Sequence, residues 1–127
     1  MCSSDLFDNA AVATGFQLWV PMPPVIEDDE ASAQYVPPER VPVLRQDGAE
    51  IRLLLGELVL DHDAGESSIT AHQDMNYFVL TLQANSAWRY VPPLSHSVAW
   101  AFPFEGEASV AGVSSSQRLL QIGRAHV

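Results

Sequence analysis

Apolar side chains along this chain fall in short runs, alternating or continuous, and proline, glycine, asparagine or serine stops each one. Helical spacing is hardly sustained anywhere. Short runs separated by turn residues suit a sandwich or barrel, where each strand offers a period-two face to the core. GFQLWV at 15–20 is expected as a strand, halted by PMPP at 21–24 because proline cannot donate to a ladder. Residues 23–47, with EDDE at 27–30 and YVPPERVPV at 35–43, read as a proline- and acid-rich linker.

Past a turn at QDG, 46–48, AEIRLLLGELVL is expected as a strand with a bulge or bend at Gly56. NYFVLTLQAN at 76–85, rich in aromatic and β-branched residues, is the clearest strand in the chain. AWRYV is expected as a short strand closed by Pro92 and Pro93. HSVAWAFPF at 96–104 is the next, turned by EGE into ASVAG as a hairpin; SSSQ at 114–117 is a second turn, and RLL opens a last strand. The predicted class is all-β.

Composition narrows what such a domain can do. The 127 residues contain no lysine, and six arginines face sixteen acids, for a net charge of −10. That balance disfavours nucleic acid and anionic membrane, both of which call for clustered cations. No apolar run is long enough to cross a bilayer, and no basic region leads into an apolar one at the start, so the chain reads as soluble and cytoplasmic.

The densest candidate chemistry is DHDAGESSITAHQD, 61–74. If 69–75 are extended, His72 and Asp74 share a face and could offer two ligands of a metal site, with His62 as a third candidate. His62 lies across AGESS, which reads as a turn, and histidines near carboxylates are common as hydrogen-bonded polar residues. The segment is therefore read as a polar connection, with no catalytic, cofactor or metal residue assigned. Trp19, Trp88 and Trp100 could stack an aromatic ligand but are read as core. His96 reads as a surface turn. Ser67, Ser68 and Ser114–Ser116 lack a nucleophile motif, and no phosphate loop or zinc spacing occurs.

GFQLWV followed by MPP resembles the signature Gly-x-Gln-x-Trp-Val-Asn-Leu-Pro of the pirin family. The resemblance continues through QYVPPERVPV, through RQDGAEIRLLLGEL and, by pattern and spacing, through 77–112, covering about 15–120 in all. Pro21 stands where pirins usually have Asn, and FDNAAVAT at 7–14 matches weakly. The resemblance implies a bicupin: 7–22 the end of the N-terminal cupin barrel, 23–47 the linker, and 48–121 an incomplete C-terminal jelly-roll barrel. It also implies, for the parent protein, Fe(II) or another divalent metal in the first barrel, held by three histidines and a glutamate. Such a ligand set suits O₂ chemistry. Pirins include flavonol-opening quercetin dioxygenases and non-enzymatic transcriptional co-regulators. The Pro-His-Pro-His and His-x-Glu motifs that carry the metal ligands are absent from this sequence.

The termini have their own signature. IGRAHV, 122–127, and MCSSDL, 1–6, can each be encoded by one strand of a common sequencing adapter, the second with GTG as start codon. On that reading both stretches are artefact, Cys2, Asp5 and His126 fall out of consideration, and the chain is an inactive piece of a longer protein. An open barrel would leave unpaired strand edges, which favour self-association.

Overall fold

The computed structural model describes residues 15–116 and 118–121. The adapter readings at 1–6 and 122–127, the placement of 7–14, and Cys2, Asp5 and His126 lie outside the described residues. The chain divides into two units, 1–30 and 31–127.

In the first unit, 15–20 form no strand, contrary to expectation, and Trp19 is 82% exposed. Strand propensity alone does not hold a backbone extended, since a ladder needs a neighbour, and no other strand lies among this unit's described residues. The prolines instead support successive turns, with Ile26 N–H donating to Pro23 O and Asp29 N–H to Ile26 O.

The second unit is all-β and antiparallel apart from one 3-10 turn at Pro38–Arg40. Its strands are β1 (Val43–Gln46), β2 (Ala49–Leu55), β3 (Glu57–Val59), β4 (Ala64–Glu66), β5 (Tyr77–Leu82), β6 (Trp100–Ala101), β7 (Ala108–Val110), β8 (Val113–Ser115) and β9 (Leu120–Gln121). They form one three-stranded sheet, β1-β2-β5, and the pairs β3-β4, β6-β9 and β7-β8. No barrel closes among the described residues.

The principal sheet begins as a hairpin. Gln46 pairs with Ala49, leaving Asp47 and Gly48 as a two-residue loop with φ of 25° and 80°. Positive φ at both loop positions is the geometry that fits the right-handed twist of the flanking strands, and Asp-Gly supplies it at little cost. Along β2, Ala49, Ile51 and Leu53 point inward while Arg52 is exposed. The register sets Leu44 and Leu80 on either side of Ile51, and Phe78 beside Leu53. Leu44, Ile51 and Leu53 are fully buried, and each contributes about 1.5–3 kcal/mol by leaving water. Leu58 joins them from β3, and Leu60, Phe78, Leu80, Trp88 and Tyr90 pack around.

Several expected elements are redistributed. The supposed linker ends in a strand, β1. The expected bend at Gly56 is present, with φ 87° and a register shift between Leu53 and Leu55, and it divides the run into β2 and β3. AGESS supplies β4 rather than only a turn. Gly65 is needed there because a Cβ would meet Leu44 Cδ1 at 2.8 Å. AWRYV lies outside every sheet, and only Trp100 and Ala101 of 96–104 are in a ladder. β7 pairs with β8 through Ala111-Gly112, while β6 pairs with β9, so the predicted 96–112 hairpin does not form.

Candidate functional site

The Gly56 bend turns β3 out of the principal sheet and opens a cleft of about 550 Å³ between two chain segments, 57–61 and 87–93. Asn76, just before β5, fixes its geometry. Its Oδ1 accepts from Glu57 N–H at 3.1 Å and its Nδ2 donates to the Tyr90 hydroxyl at 2.8 Å. A side chain at position 56 would collide with this carboxamide.

The second wall is set by alternation. Trp88, Tyr90 and Pro92 are half-buried while Ala87, Arg89 and Val91 are exposed. The period is that of a strand, although no ladder forms. Trp88 and Tyr90 are stacked at 5.8 Å, and each meets Phe78 edge-on, at 5.7 and 5.3 Å. The polar ends of both rings are engaged: Trp88 Nε1 donates to Gln46 Oε1 at 2.8 Å, and Tyr90 holds Asn76. The aromatic pair is thus pinned at both ends. Charge around the cleft is mostly negative, from Asp47, Glu57 and Asp61, with Arg89 opposing.

The histidine-rich stretch is arranged differently from a metal site. His62 and His72 are exposed in bends, and 72–74 are not extended. Asp74 turns to another segment, where its Oδ1 lies 2.8 Å from His96 Nε2 and its Oδ2 accepts from the Ser95 hydroxyl. The His96 side chain is only 11% exposed, against 69% for Asp74, so His96 is more enclosed than the expected surface turn. The Ser95 hydrogen bond, followed by that from His96, holds the Asp74 carboxyl below its ordinary value, while desolvation acts the other way. The serine and histidine both engage the carboxylate instead of each other, so this cluster lacks the serine-to-histidine relay that activates a nucleophile.

Among the described residues no three His, Cys, Asp or Glu side chains converge to hold a metal ion. They do not fit a set of three histidines and one glutamate. The tryptophans also separate. Trp88 packs on the core, but Trp19 and Trp100 are 82% and 61% exposed, which corrects their reading as core. Ser67 donates to Leu54 O at 2.7 Å and accepts from Ile69 N–H at 3.1 Å, a turn-forming role.

The residues that shape the cleft, Gly56, Asn76 and Gln46, carry no motif. The i, i+2 spacing of Trp88 and Tyr90 was the one signal in the sequence that they share a face. Among the described residues, no helix is long and apolar enough to cross a membrane. Compared with family models, curated proteins and solved structures, the chain matches none.

Proposed function

We propose that this chain is part of a pirin-like bicupin and contributes a binding surface, the parent protein being a metal-dependent dioxygenase of the quercetinase type. The observation that carries this reading is the β1–β2 hairpin with its bend at Gly56. It falls on RQDGAEIRLLLGEL, the stretch whose likeness to pirins implies the opening of the second barrel. Antiparallel all-β structure and the GFQLWV signature support it. A complete jelly-roll barrel belongs to the same proposal. On the resemblance the metal belongs to the parent's N-terminal barrel, and chemistry is assigned to none of the described residues.

A second reading is favoured by the cleft itself. One wall is an aromatic stack hydrogen-bonded into place, which suits a non-enzymatic binding or regulatory protein. The locus, sequenced beyond codons 7 and 121, provides the first test: Pro-His-Pro-His and His-x-Glu motifs upstream of Gly15 support the bicupin, and their absence removes it. For the encoded protein at full metal occupancy, loss of quercetin absorbance supports the dioxygenase. No loss under those conditions leaves the binding protein.

A further inference from the structure

The β3–β4 ladder leaves one edge of β3 open, and the register shows which backbone groups lie on it. Ser67 N–H donates to Gly56 O at 2.8 Å and Leu60 N–H donates to Asp63 O at 2.7 Å, while Leu58 sits opposite Gly65. Antiparallel pairs alternate between hydrogen-bonded and non-bonded, so residues 56, 58 and 60 face β4 and residues 57, 59 and 61 face away. The outward Glu57 N–H is taken by Asn76. Glu57 C=O, both backbone groups of Val59 and Asp61 N–H then line an unpaired edge, and Val59 is 81% exposed.

That edge is one wall of the cleft. The other wall, 87–93, has the alternation of a strand and belongs to no sheet. Strand β3 and a segment with strand-like alternation of burial therefore face each other across the cleft, with no ladder on either facing side. Strands lie about 4.8 Å apart, sheets about 10 Å apart, and each residue rises about 3.4 Å, so an extended chain occupies roughly 160 Å³ per residue. The cleft volume of about 550 Å³ then has room for an extended peptide of about three residues.

We propose that this cleft binds an extended basic peptide of a partner protein by strand addition between 57–61 and 87–93. Main-chain hydrogen bonds to Val59 supply the affinity, as in other sheet-edge recognition. Side chains supply the choice. One face of the added strand meets Leu60 and the Trp88–Tyr90 stack, and arginines on the other approach Glu57 and Asp61. A second copy of this chain is disfavoured as occupant by its own net charge of −10 and by the same two carboxylates.

The probe is a capped, fluorescein-labelled hexapeptide of alternating arginine and valine, titrated against the whole chain and read by anisotropy. Two controls accompany it: the glutamate-for-arginine peptide, and a version N-methylated to remove backbone donors. We expect saturable binding of the arginine peptide, weakening by roughly tenfold or more for either control. Val59→Pro removes an N–H that points away from β4, a position where an edge strand tolerates proline, and should weaken binding to a similar degree. Hydrogen exchange at the Val59 amide of the unaltered chain, slowed by the arginine peptide, provides the same test if Val59→Pro does not fold. Absence of binding overturns the proposal, as does equal binding of either control. Sedimentation showing a dimer that protects the Val59 amide overturns it in favour of a second copy.

Discussion

A side chain on Gly56 would occupy the place of the Asn76 carboxamide, and this exclusion ties the bend after β2 to the start of β5. With φ at 87°, the position also requires a backbone conformation that other residues reach only with strain. We expect Gly56→Ala to destabilise the chain by about 2–4 kcal/mol, combining that strain with loss of the Asn76–Glu57 bond. Urea denaturation followed by far-UV circular dichroism measures it, and an unchanged midpoint would refute the link.

The Asn76 carboxamide serves two partners at once. Tyr90→Phe should cost about 1 kcal/mol, the usual net worth of one hydrogen bond. Asn76→Ala should cost about 2 kcal/mol, since it leaves Glu57 N–H and the Tyr90 hydroxyl without their partner. The double variant should fall short of the sum, because the two changes break the same bond. Strict additivity in that cycle would show that the bond contributes nothing.

Ile51, buried between Leu44 and Leu80, tests the core. Ile51→Val should cost about 0.5–1.5 kcal/mol and Ile51→Ala about 2–5 kcal/mol. Arg45→Ala, which removes the exposed 2.9 Å bridge to Glu50, should cost at most about 1 kcal/mol. A loss at Arg45 equal to that at Ile51 would mean that the sheet is not held by its apolar face.

For Asp74 the sign of the pH effect follows from its lowered carboxyl. The group binds its proton less readily in the folded chain, so its contribution is fully present above 3.8 and is lost as pH falls through the lower folded value. Carboxyl carbon chemical shifts should place the Asp74 transition below 3.8. Ser95→Ala and His96→Ala should each raise it, since each removes a hydrogen bond that lowers the carboxyl's value. A transition at or above 3.8 would contradict the assigned bonds.

What the sequence revealed of this fold divides along physical lines. β2, the bend at Gly56 and β5 were legible because alternation, a turn dipeptide and β-branched residues all agree there. β4 was not, for AGE has little strand propensity; Gly65 is held extended by pairing with Leu58, and Leu44 leaves little room for a side chain there. The opposite error arose at 15–20, 87–91 and 96–99, where apolar alternation indicated an inward face but gave no information about a ladder partner. Partner choice is also why β6 and β7 were joined as a hairpin. The cleft was hidden for another reason. Asn76 and Gln46 are ordinary polar residues until distant segments bring Tyr90 and Trp88 to them.

The separate sheets among the described residues should exchange amide hydrogens on different clocks. An isolated two-stranded ribbon is marginal in water, so the β7–β8 ladder, joined through Ala111 at φ 50° and Gly112 at φ 83°, should exchange by opening without disturbing the rest. β6–β9 rests on two residue pairs among the described residues and should open nearly as readily. The paired amides of β2, which has a neighbour on either side, should wait for global unfolding. Among the strands, one slow centre around Ile51 would then stand against the fast β6–β9 and β7–β8 ladders.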